Sequence, residues 1–200
     1  MRGSHNTLKE RFLIIFWIKL IFNIDEKLEK NLYINKMNNI SLFVSMTILG
    51  VCIIGTYIHY IRKSSSDLVN KMWVGIPKKY RPIYMVMMIL ATIGFLSFVF
   101  YTTTSKIKNY KLVVFSVLLI LVPAIFWMGS TYHSLKNNTY SWIVPMVLVL
   151  TGIGAIILSG LLYLNRVNHI IQLLFLLFTL HVTILDGYIW NYKYISLYKN

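Results

Sequence analysis

The chain has 200 residues, of which 57% are hydrophobic and only 13% are charged, and its mean hydropathy is +0.64. Soluble domains carry about a quarter charged residues, so this composition excludes an ordinary soluble globular protein. The net charge is +14, but the Lys and Arg residues are scattered between apolar stretches. No basic face of a nucleic-acid-binding module is visible, and we expect no nucleic-acid partner.

Residues 1–40 form an N-terminal segment that differs from the rest of the chain. Within it, 12–24 is apolar but short, and Lys19 lies in its middle. Such a stretch is compatible with a signal-peptide core, although no small-residue cleavage site follows, or with a short, charged sixth span. The sequence favours an interfacial helix with Trp17 at headgroup depth. A start at Met37 would remove this segment altogether, and these alternatives stay open.

Five apolar stretches without Lys or Arg follow, at 41–61, 83–103, 112–132, 142–164 and 170–190. Each has about 21 to 23 residues, and a helix of that length crosses a hydrocarbon core of about 30 Å. We therefore predict an all-α integral membrane bundle of five transmembrane helices over 41–190, followed by a short basic tail at 191–200.

The basic residues do not settle the orientation of these spans. Lys and Arg are divided almost evenly between the two sides, whereas a clear excess would mark the cytoplasmic side. Lys and Arg next to span ends attract anionic headgroups, so membrane lipid is the expected partner. Most of the aromatic residues lie near span ends and are typical of interfacial belts.

The fourth span carries a face of small residues, Gly152, Ala155 and Ser159. Small side chains allow helix backbones to approach closely in a membrane. This face predicts tight packing, either inside the fold or against a second copy of the chain or another membrane protein. In the third span, Pro123 is expected to bend the helix.

Asp186 is the most informative single residue, because it is the only carboxylate after Asp67 and lies within a span. Intramembrane acids are costly and often mark functional sites. At about 100° per residue, Thr179, Thr183, Asp186 and Trp190 share one side of an α-helix, which makes them a candidate intramembrane polar site. The alternative is a structural acid near the interface.

His181 is a further candidate in the same span. Five residues separate it from Asp186, which is about 140° around an α-helix, so the two side chains are expected not to pair. A neutral imidazole bonded to a neighbouring helix is the predicted state of His181.

The remaining sequence features argue against catalysis. Cys52 is the only cysteine, acid–base groups are scarce, and no phosphate-binding loop, zinc-protease or nucleophile-elbow motif occurs. We expect no enzyme, no cofactor and no metal site. The sequence favours a non-enzymatic accessory or structural membrane protein that acts through helix contacts. The alternative is a small transporter or channel that uses the polar stripe around Asp186.

Overall fold

A computed structural model of the chain describes residues 39–74, 76–105, 107–139 and 141–199. The interfacial helix expected at 12–24 lies outside these residues, as does nearly all of the N-terminal segment 1–40.

The described chain is helical throughout, with short connections. It contains α1 (Asn39–Lys63), α2 (Ser66–Lys71), a short 3₁₀ turn (Lys78–Tyr80), α3 (Arg81–Thr104), α4 (Tyr110–Asn137), α5 (Ile143–Leu164), α6 (His169–Leu180), a π-helix (His181–Trp190) and α7 (Asn191–Lys199). The last three, α6, the π-helix and α7, follow one another without a break and form one continuous helix, which we call the rod. Five helices are long and apolar enough to cross a membrane, which confirms the predicted all-α bundle. The last of them continues beyond Trp190, so most of 191–200 is helical.

The bundle is organised around α5, half of whose most apolar stretch is buried. It packs against α4 on one side and against α6 and the π-helix on the other, while α3 lies along α6. At the edge, α1 packs on this group through Leu42 and Met46, its two fully buried side chains. We call the end of the bundle that carries residues 62–80 the capped end.

Two glycines allow neighbouring backbones to touch. A Cβ at Gly94 of α3 would lie only 2.1 Å from the Leu174 carbonyl oxygen of α6. A Cβ at Gly154 of α5 would lie 2.8 Å from the Ser116 carbonyl oxygen of α4. Any larger residue would push these helices apart, so the two glycines fix where α3 meets α6 and where α4 meets α5.

The small face of α5 is used inside the fold. Gly152 faces the Thr183 side chain of the π-helix, and Ala155 is fully buried, with its carbonyl 3.5 Å from the Thr179 hydroxyl. The Ser159 and Thr179 hydroxyls form a hydrogen bond of 2.7 Å. Pro123 lies inside α4 and is buried.

We expect Gly94→Ala to destabilise the protein by about 3 kcal/mol, because its Cβ would overlap the Leu174 carbonyl, whose backbone cannot move aside without separating the helices. Thermal unfolding in detergent measures the loss. Gly160→Ala is the matched control, since nothing lies within 4 Å of a Cβ there, and its effect should stay within about 1 kcal/mol. Equal behaviour of the two variants would contradict the close α3–α6 contact.

Candidate intramembrane polar site

The last membrane helix changes its hydrogen-bonding pattern at His181. From His181 to Trp190 it is a π-helix, and at its end the Asn191 N–H donates to the Asp186 carbonyl five residues earlier. Helices of this kind are rare and frequently occur at functional sites. The widened turn is the structural feature that builds the site.

Two local features favour the wider turn. The Thr183 hydroxyl donates to the Thr179 carbonyl at 2.6 Å and so competes for the acceptor that an α-helix uses at that position. At Gly187, a Cβ would lie 3.0 Å from the Val182 carbonyl, five residues earlier, so the absent side chain leaves room for that carbonyl.

The π-helix brings His181 and Asp186 together. Their Nε2 and Oδ2 atoms lie 3.4 Å apart. The expectation that these two residues point in different directions is therefore wrong. It assumed an α-helical turn, whereas residues five apart lie one above the other when hydrogen bonds span five residues.

The His181 and Asp186 side chains differ in how far they are exposed. The His181 side chain is 7% exposed and its Nδ1 has no hydrogen-bond partner among the described residues, whereas the Asp186 side chain is 25% exposed. The Tyr84 hydroxyl donates at 3.3 Å to the carbonyl of Leu185, the residue before Asp186, and Tyr57 packs against Trp127 with ring centres 5.5 Å apart. The site is thus a buried imidazole behind a partly exposed carboxyl group, with the Tyr84 hydroxyl close by.

Aromatic rings form one wall of this region. Trp127 of α4 packs against both Tyr57 and Trp190 with ring centres 5.5 Å apart, and Trp190 stacks on Tyr194 at 5.1 Å. Trp190 and Tyr194 are both buried. These rings therefore pack against one another within the fold, which differs from the interfacial belt expected for span ends.

The segment between α1 and α3 closes the capped end over these rings. Trp190 donates its indole N–H to the Met72 carbonyl at 3.1 Å, and Val74 and Ile76 are buried in the same cluster. Val74 has a φ of 41°, a left-handed conformation that β-branched residues rarely adopt. Burial of the Val74 side chain offsets this local strain.

The structure divides the predicted polar stripe. Thr179 is buried against α5 through Ser159, Thr183 turns its hydroxyl to its own helix, and Trp190 belongs to the aromatic cluster. Asp186 is joined to His181 instead of to the rest of the stripe. Nothing in the sequence singles out Tyr57 or Tyr84, because their positions near span ends give no signal beyond that of interfacial aromatics.

The chemistry available to this site is narrow. Among residues 39–74, 76–105, 107–139 and 141–199, no group of three His, Cys, Asp or Glu side chains could hold a metal ion. One imidazole and one carboxyl group can share a proton, exchange it with water, or hold a small monovalent cation. Below His181, away from the capped end, Phe95, Phe175 and Phe178 pack ring to ring.

The five long apolar helices and their connections define a multi-pass membrane protein. Comparison with known proteins adds no closer assignment, because no family model, curated protein or solved structure matches the chain. The polar site is therefore the feature that bears on a more specific function.

The pairing can be tested directly by NMR of the histidine ring nitrogens. We expect Asp186→Asn to shift the His181 imidazole ¹⁵N resonances, because the carboxylate partner 3.4 Å away is lost. The resonances of His169, at the opposite end of the same rod, should not move. Asp67→Asn serves as the control substitution, since Asp67 is exposed and pairs with Lys71. Unchanged His181 resonances in Asp186→Asn would contradict the π-helical pairing.

Proposed function

We propose that the protein is a small transporter or channel whose transported or coupling ion is a proton, bound at the His181–Asp186 pair. One observation carries the proposal: an imidazole and a carboxyl group lie 3.4 Å apart inside a membrane helix whose hydrogen bonding is rearranged to bring them together. Ionisable groups within spans are costly, and proton relays are among their established uses.

The composition of the site favours a proton over a divalent metal cation. Hard cations such as Ca²⁺ take six to eight oxygen ligands, and Mg²⁺ takes about six. Asp186 is the only carboxylate in the described part of the five spans, and the nearby Tyr84 supplies only a hydroxyl group. A proton needs only one acceptor and a neighbouring group to pass it on, which this pair provides.

The burial of the two residues suggests the order of transfer. Asp186 is the more exposed and lies nearer the capped end, so it would exchange protons with water first. His181 lies deeper, and no described residue is hydrogen-bonded to its Nδ1, an atom that can accept a bond from a water molecule or a transferred proton. Beyond it, the packed rings of Phe95, Phe175 and Phe178 close the route, so passage would require them to move.

Transport can be tested in liposomes. Purified protein is reconstituted with an internal pH-sensitive dye, and a potassium gradient with valinomycin supplies the driving voltage. We expect Asp186→Asn to reduce proton flux to the level of protein-free liposomes, because the amide cannot accept and release a proton. Asp67→Asn removes the other carboxylate of the described chain, which lies on the surface, and should leave flux unchanged.

Flux in Asp186→Asn equal to that of the unsubstituted protein would reject this site. An unfolding midpoint close to that of the unsubstituted protein shows that any loss of flux does not come from loss of the fold. His181→Gln provides a second test of the same pair. It removes the deeper group, so proton flux should be slower even though Asp186 remains in place.

A second candidate is a non-enzymatic accessory role through helix contacts, and the position of α1 favours it. Only Leu42 and Met46 of α1 are fully buried, and Gly50 and Gly55 have nothing within 4 Å of a Cβ. The small face of α5 is already used within the fold, so α1 offers the better surface for another protein.

The accessory role predicts a stable assembly in mild detergent. Native mass spectrometry should then show a defined homo-oligomer or a co-purifying membrane subunit. Cys52 is exposed on α1 between the two glycines and is the only cysteine, so oxidative crosslinking should give a single dimer if two copies meet there. A monomer in both experiments would contradict a role through contacts of α1.

A further inference from the structure

A separate polar feature lies at the capped end, where α1 and α4 both end. Lys63 is the last residue of α1, and Lys136 lies in the last turn of α4. The Nζ atoms of Lys63 and Lys136 lie 5.6 Å and 5.4 Å from the centre of the Tyr132 ring. Lys136 also donates to the Tyr132 hydroxyl at 3.1 Å. One aromatic ring therefore holds two ammonium groups at the membrane boundary.

The ring that holds them is fixed by packing. Tyr132 is only 2% exposed, and its ring packs against Tyr60 of α1 with centres 5.2 Å apart. Tyr60 in turn lies over Gly129, where a Cβ would come within 3.1 Å of its ring. The two lysines, which are themselves exposed, thus share a buried aromatic support that joins α1 to α4.

No carboxylate within the described ranges neutralises this pair of cations. Those ranges contain two carboxylates, of which Asp67 pairs with Lys71 at 3.4 Å and Asp186 lies against His181. His59 and His133 both pack on the Tyr60 ring, and neither supplies a negative charge. Two ammonium groups gathered on one ring, with no carboxylate of the described ranges beside them, attract an anion.

We propose that Lys63 and Lys136 bind the phosphate of an anionic phospholipid headgroup. Phosphate oxygens accept hydrogen bonds from ammonium groups, and basic pockets between membrane helices are known to hold such headgroups. A lipid suits the position better than free phosphate, because the site ends two membrane helices. Exposed apolar side chains of the same helices, among them Ile58, Ile61 and Phe126, offer contacts for its acyl chains.

The experiment is native mass spectrometry of the protein in detergent, titrated with phosphatidylglycerol or with phosphatidylcholine of the same chain length. We expect retention of phosphatidylglycerol, and a loss of about tenfold or more in its apparent affinity in Lys63→Gln/Lys136→Gln. Lys78→Gln/Lys193→Gln removes the same charge from exposed positions at the same end and should change affinity by less than about threefold. Lys63→Arg/Lys136→Arg keeps both charges and should retain the lipid.

Three outcomes would overturn the proposal. Equal losses in the two Gln pairs would show a diffuse basic surface in place of a site. A shift in the unfolding midpoint with inorganic phosphate, without preference for phosphatidylglycerol over phosphatidylcholine, would assign the lysines to a soluble phosphate. Lys63→Arg/Lys136→Arg keeps both charges, so it tests the site independently of any loss of fold in the Gln pair. A folded arginine variant that fails to bind the lipid would also contradict a site based on charge.

Discussion

Backbone contact between helices is the constraint on which this bundle depends. Lipid tails are as apolar as leucine, so helices in a membrane gain little from hiding apolar surface from their surroundings. They associate where their backbones approach closely, as at Gly94 against Leu174 and at Gly154 against Ser116. These contacts place α6 beside α3 and α5 beside α4, and the Ser159–Thr179 hydrogen bond joins the two pairs. The polar site is built on the rod that these contacts hold.

The same apolar surroundings explain why the π-helix matters. A lipid environment cannot supply hydrogen bonds, so a change of pattern in a membrane helix must satisfy its own backbone groups. A π-helix does so with bonds that span five residues, and it also moves a side chain by one position around the axis. Here that shift places a carboxyl group against an imidazole. In an α-helix of the same sequence the carboxyl group and the imidazole would point in different directions. Each would then be an isolated polar group in an apolar medium, which is costly.

Features that depend on one stretch of sequence could be predicted, whereas features that depend on a change of helix type or on contacts between distant helices could not. Span positions follow from length and hydropathy, and the limits of α5 agree with prediction to within one residue. Asp186 was found because a carboxyl group among apolar residues is conspicuous. Its pairing with His181 was missed because the prediction assumed one helical period throughout, and no simple sequence rule marks a change from four-residue to five-residue hydrogen bonds. The roles of Tyr57 and Tyr132 depend on contacts between helices distant in sequence, which a pattern within one span does not contain.

The position of α1 has a consequence for how the protein is assembled. Among the five helices, α1 is synthesised first, yet the partners of its buried residues come later: Leu42 and Met46 pack in a core built by α3, α4 and α5, and Tyr60 rests on Gly129. The surface of α1 is apolar enough for this helix to be stable in lipid before it packs. Ile54, Ile58 and Ile61 are still exposed in the complete fold. Of these five helices, the one made first therefore completes its packing only after the later ones are in place.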